Sequence, residues 1–141
     1  MKVADILRSK GSEIYSITAG IKVYEALKIM QEKNVGALLV MDADKLLGII
    51  SERDYARKII LQGKTSHETS VGDIMTKEVI TVQPGDGIEK CMELMSEKHI
   101  RHLPVVNDDK IVGVISITDV VTAIIQSQRD TITHLEHYIS Q

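Results

Sequence analysis

The chain has 141 residues, a net charge of −3, 43% hydrophobic residues and only 3% aromatics, with no Trp and no Phe, so its core is aliphatic and its size admits one compact domain or two very small ones. The absence of a Lys/Arg block or of basic residues interleaved with aromatics argues against a nucleic-acid surface, and no apolar run approaches the roughly 18–20 residues of a membrane span. One cysteine, Cys91, excludes an internal disulfide and fits a reducing compartment, and Asp5 stands where a signal peptide would be apolar, so the expectation is a soluble cytoplasmic protein.

In chain order, the first element is a short amphipathic turn carrying Val3, Ile6 and Leu7. An extended segment follows at Ile14–Ile17. The spacing of Val23, Ala26, Leu27 and Met30 predicts a helix. Ala37–Met41 and Leu46–Ile50 read as two strands joined by the polar turn Asp42-Ala43-Asp44-Lys45. A second helix is expected over Asp54–Leu61, then a polar linker. The same order then returns: Val71, Ile74 and Met75; Val79–Val82; the stripe Ile88, Cys91, Met92, Met95; strands Leu103–Val106 and Ile111–Ile115 around Asn107–Lys110; and a helix over Asp119–Gln126. After it, Ile132, Leu135 and Ile139 lie near helical spacing.

This is an internal repeat. At an offset of 65 residues Leu38 meets Leu103, Val40 meets Val105, Gly48 meets Gly113, Ser51 meets Ser116 and Asp54 meets Asp119. The lead-in turns match at a different offset, 68. The expected organisation is repeat one over 1–62, a linker over 63–70, repeat two over 71–126 and a helical tail over 127–141. The fold class is α/β (α+β): two tandem β-α-β-β-α units packed sheet to sheet about a pseudo-twofold axis, because one unit of this size is marginal alone.

Three segments carry a resemblance to a known family: Val71-Gly72-Asp73-Ile74-Met75-Thr76, His99-Ile100-Arg101-His102-Leu103-Pro104-Val105-Val106, and Ile111-Val112-Gly113-Val114-Ile115-Ser116-Ile117-Thr118-Asp119, with Leu46-Leu47-Gly48-Ile49-Ile50-Ser51-Glu52-Arg53-Asp54-Tyr55 as the copy in repeat one. The chain resembles the CBS-domain proteins (cystathionine β-synthase domain, or Bateman module), of the small stand-alone bacterial type, over about residues 1–126. The resemblance implies two clefts, each built from the early strand and first hairpin strand of one repeat and the Ser-x-x-Asp loop of the other. It further implies an adenine nucleotide as ligand (AMP, ADP or ATP, with NAD(H) or S-adenosylmethionine as alternatives) and a homodimer. A regulatory role toward an unidentified protein goes with it, and no catalysis.

Physical chemistry of the loops points the same way. A strand ends, a helix begins, and its first N–H groups are available to an anion. Ser51 and Ser116 add hydroxyls; Asp54 and Asp119 add acceptors suited to ribose hydroxyls. Arg53 in one loop suits a phosphate, while Thr118 offers only a hydroxyl, so the two clefts should differ. The competing reading is a helix N-cap with a dipole-complementing acid. Arg101 and His102, at the entry to the second strand, are expected to face phosphate; Gly36 and Ala37 take their places in repeat one, where backbone can approach a base. Ala26 leaves room for the base. Glu52 and Ile117 complete the loops, and Tyr15 and Ile80 lie on the early strands. No nucleophile elbow, P-loop or Gly-x-Gly-x-x-Gly is present. Without an acid–base pair the set binds rather than reacts, and neither a metal nor a catalytic cofactor is expected.

Overall fold

The computed structural model describes residues 1–140; Gln141 of the expected tail lies outside them. The chain divides into two compact units, residues 14–79 and residues 1–13 with 80–141.

In the contiguous unit, strand β1 (Ser16–Ile17) lies parallel to β2 (Ala37–Asp42), which pairs antiparallel with β3 (Lys45–Ser51). Helix α2 (Val23–Lys33) buries Val23, Ala26 and Met30 at a helical spacing. It ends at Asn34, whose left-handed backbone (φ 54) closes the last turn. β3 runs into the short helix α3 (Glu52–Tyr55), which continues as a π-helical turn over Ala56–Ile60 rather than as the regular helix expected to Leu61. Helix α4 (Val71–Ile74) closes the unit. Its N-terminal Val71 and Gly72 N–H groups donate to the carbonyls of Ile21 and Ala19. Ile17, Val23, Ala26, Met30, Leu38, Val40, Ile50, Ile59, Val71 and Ile74 form the core.

The other unit repeats this plan on two pieces of chain. Helix α5 (Ile88–Lys98) buries Ile88, Cys91 and Met95 and ends at His99, left-handed at φ 54. Strands β4 (His102–Asn107) and β5 (Lys110–Ser116) pair antiparallel through a turn in which Asp108 and Asp109 both have positive φ. That conformation follows the twist of a tight hairpin. The expected strand Val79–Val82 is reduced to a bridge from Val82 to Val105. Helix α6 spans Ile117–Ile139 without a break, so the expected final helix and the tail are one element. The remaining helix, α1 (Val3–Lys10), is the lead-in of repeat one. Its Val3 and Ala4 N–H groups donate to the carbonyls of Asp86 and Pro84, as α4 does in the contiguous unit.

Each sequence repeat therefore gives its lead-in helix to the unit formed by the other. The compact units do not coincide with the repeat boundaries at 62 and 71. Two glycines record the exchange. A Cβ on Gly48 would stand 2.7 Å from the carbonyl oxygen of Thr76, and one on Gly113 would stand 2.6 Å from Leu7 Cδ2. Equivalent strands need bare backbone where equivalent lead-ins cross them.

Candidate functional site

In the discontinuous unit, β5 delivers Ser116 to the start of α6 as its N-cap. The Ser116 N–H donates to Asp119 Oδ2 at 2.7 Å and the Asp119 N–H donates to Ser116 Oγ at 3.2 Å. Ser-x-x-Asp is thus a reciprocal capping box. Lys10, at the end of α1, donates to Asp119 Oδ2 at 2.7 Å and to the Val114 carbonyl at 2.8 Å. His102 lies opposite Ser116 in the strand register, and the Ile117 N–H donates to the Arg101 carbonyl. Arg101, His102, Ser116, Ile117, Thr118 and Asp119 are therefore neighbours, with Arg101 and Thr118 exposed. Ile80 packs against the unit's core.

The electrostatics refine the expected roles. Burial opposes ionisation of Asp119, but the Lys10 ammonium and the Ser116 N–H outweigh it and hold the carboxyl below its ordinary value. Burial pushes His102 below its ordinary value; Asp119 opposes that shift, and Lys10 and Arg101 add to it. His102 is thus held toward the neutral form, and the standing positive charge at this site comes from Lys10 and Arg101. Lys10 is a residue that sequence reasoning missed. It lies on the lead-in, and nothing in its own neighbourhood points to an acid on the other repeat.

The contiguous unit presents the matching loop in a different chemical state. Ser51 caps α3; its N–H and Oγ donate to Asp54 Oδ2 at 2.9 and 3.1 Å. Thr76 Oγ1 donates to Asp54 Oδ1 at 3.2 Å, and Lys58 Nζ lies 3.0 Å from the same oxygen. Asp54 is the buried charged residue among the described residues, at 9% exposure, and these partners offset its desolvation. Lys58 was readable as an acid-to-lysine pair four residues apart on a helix; Thr76, on the second lead-in, was not. Gly36 and Ala37 sit beside the loop: Ala37 pairs with Ser51, and the Glu52 N–H donates to the Gly36 carbonyl at 3.1 Å. The Tyr15 carbonyl accepts from Leu39 N–H, which ties the early strand to β2. Arg53 is half-buried. Ala26 lies at 0% exposure in the core, where its small side chain serves the packing of α2.

An open groove of about 550 Å³ lies in this unit between α2 and α3. Leu27, Met30, Val35 and Tyr55 give it an apolar floor, and Gln31, Asn34, Gly36 and Glu52 give it a polar rim. Asp54 does not line it; its carboxylate is turned to Lys58 and Thr76. Gly36 and Glu52 therefore share a groove from which the acid of the same loop is absent.

Two α/β units of the same plan, each with a capped Ser-x-x-Asp loop, define a tandem-repeat module. The CBS domain model matches residues 3–61 and 71–126, and the chain belongs to the CBS-domain family. It is 43% identical over 146 residues to the mitochondrial CBS domain-containing protein CBSX3 of Arabidopsis thaliana, covering 97% of this chain and 71% of that protein. Among solved structures it is similar to a putative signal-transduction protein with CBS domains from Burkholderia ambifaria, with TM-score 0.88 and 47% identity, covering 91% of this chain and 96% of that one. It is also similar to the CBS domain pair of protein MJ0100 in complex with 5′-methylthioadenosine and S-adenosyl-L-methionine, with TM-score 0.78 and 28% identity, covering 91% of this chain and 98% of that one. No helix among the described residues is long and apolar enough to cross a membrane.

Proposed function

We propose that this chain is a regulatory module, not an enzyme, that binds an adenine nucleotide at its Ser-x-x-Asp loops and signals nucleotide state to a partner protein as a homodimer. The observation that carries the reading is the grouping at the start of α6. An ionised carboxylate, Asp119, stands within one loop of Arg101 and Lys10, at the N-terminus of a 23-residue helix. An acid for ribose hydroxyls beside cations and helix N–H groups for phosphate is the polarity pattern of a nucleoside phosphate. The adenosyl compounds bound by the MJ0100 pair support the nucleoside half of the assignment.

The two loops are proposed to differ in preference. Asp54 is the more buried acid and is engaged by both Lys58 and the Thr76 hydroxyl, whereas Asp119 is more exposed and is engaged from outside its loop by Lys10. Thermal unfolding with AMP, ADP, ATP, NAD, NADH and S-adenosylmethionine tests the reading. A ligand at ~100 times its dissociation constant raises stability by roughly 2.7 kcal/mol. Asp119→Ala should abolish the shift that arises at the start of α6, and Asp54→Ala the shift that arises at the other loop. Absence of any shift with all six ligands would leave a scaffold role. A shift with S-adenosylmethionine but none with AMP or ATP would move the ligand class to sulfonium adenosyl compounds.

A further inference from the structure

From Gln128 to Ser140 every residue is exposed, although α6 remains helical to Ile139. Such a half-helix is not stable by propensity, least of all with the β-branched run Thr131-Ile132-Thr133. Most helices are held by packing one apolar face, and this one has such a face with nothing of the described chain upon it. Val121, Ile125, Ile132, Leu135 and Ile139 are 40%, 44%, 55%, 54% and 80% exposed. Their spacing of four, seven, three and four residues is that of a heptad seam. Ile125, Ile132 and Ile139 take one core position; Val121, Gln128 and Leu135 take the other.

We infer that the second half of α6 pairs with the same segment of a second copy of this chain, the two helices running antiparallel. The flanking charges choose both occupant and direction. When Ile132 of one copy faces Leu135 of the other, Gln128 faces Ile139 and Arg129 lies beside Glu136. The twofold axis repeats that opposite-charge pair. A parallel pair would instead set Thr131 against Glu136 and Ile124 against Arg129, with no opposite charges meeting. The antiparallel arrangement also opposes the helix dipoles. A membrane surface fits poorly, because the polar side of the segment mixes Arg129, Asp130 and Glu136 where a basic face would be needed. The pairing is independent of the nucleotide reading, and either can fail without the other.

Sedimentation of the full-length chain at micromolar concentration is the test. Ile132→Glu with Leu135→Glu should halve the mass of the assembly and leave thermal unfolding of the rest intact, since both side chains are exposed. Arg129→Glu and Glu136→Arg should each weaken the association about tenfold by placing like charges together. Combined, they should restore it to within about threefold of the starting chain, because the pair is rebuilt with its signs exchanged. An assembly mass unchanged by the double glutamate variant overturns the inference. So do single charge variants that associate as tightly as the starting chain, which is the result a parallel pair would give, and a charge-exchanged chain that stays as weak as its single variants.

Discussion

Asp54 and Asp119 are equivalent in sequence, yet each receives its lysine by a different route. Lys58 follows Asp54 by one helical turn; the matching position after Asp119 is Ala123, and the cation arrives instead from Lys10. With side-chain exposures of 37% and 21%, the Lys10–Asp119 pair contributes about 0–1 kcal/mol. Lys10→Met should lower the free energy of unfolding, read from urea titration, by no more than that, and should raise the Asp119 carboxyl toward its ordinary value, as carbon-detected titration would show. A carboxyl held below its ordinary 3.8 stabilises the fold above that pH, and the contribution is lost as pH falls through the folded value. His102 acts in a higher range. Its folded value lies below the ordinary 6.5, so its neutral form stabilises the fold fully above that pH and progressively less as pH falls beneath it. His102→Gln should therefore flatten the fall in urea midpoint between about pH 7 and about pH 5. A variant whose midpoint falls as steeply as the original would show that the burial of His102 is not its source.

Among the elements, the exchanged lead-ins make the sharpest demand on sequence. At Gly48 a methyl group would meet backbone, the Thr76 carbonyl oxygen at 2.7 Å, which cannot rotate away. At Gly113 it would meet the far end of Leu7, which can. Gly48→Ala should cost about 1–3 kcal/mol and Gly113→Ala clearly less, with Leu7→Ala relieving the second but not the first, measured by urea unfolding. Equal costs at the two glycines would contradict this account. Much of this level was legible in sequence: the stripes of α2 and α5, the four hairpin strands to within a residue or two, and the capping loops, all of which depend on local periodicity. The π-helical turn at Ala56–Ile60 and the loss of a full strand at Val79–Val82 were not legible, because neighbours in space decide them. The two alignment offsets hinted that the lead-ins are separate pieces, but which unit each would join depends on docking. For the same reason the contacts of Lys10 and Thr76 with the two aspartates were not legible, whereas the capping partnership of Ser51 with Asp54 and of Ser116 with Asp119 was, because it is local and repeated.

At the scale of the whole molecule, the compact units cut across the repeats, and that predicts which fragments hold together. Residues 14–79 contain every member of their own core, including Val71 and Ile74 from α4. Residues 1–62 lack those two and carry Val3 and Ile6, whose packing partners lie beyond residue 80. Burial of two such side chains is worth about 1.5–3 kcal/mol each, a large part of what a small unit possesses. The fragment 14–79 should show a cooperative melt and slowed amide exchange, and the fragment 1–62 neither. Cooperative unfolding of 1–62 would mean that the lead-in can serve its own repeat.

The interleaved chain also sets an order for birth at the ribosome. Residues 14–79 form a continuous run and can close while the remainder is still being made. Helix α1, made before that run, cannot settle until β5 emerges, roughly a hundred residues later. Through that interval Val3, Ile6 and Leu7 stay without their native cover, and the nascent chain is then most open to chaperones and to neighbouring copies of itself.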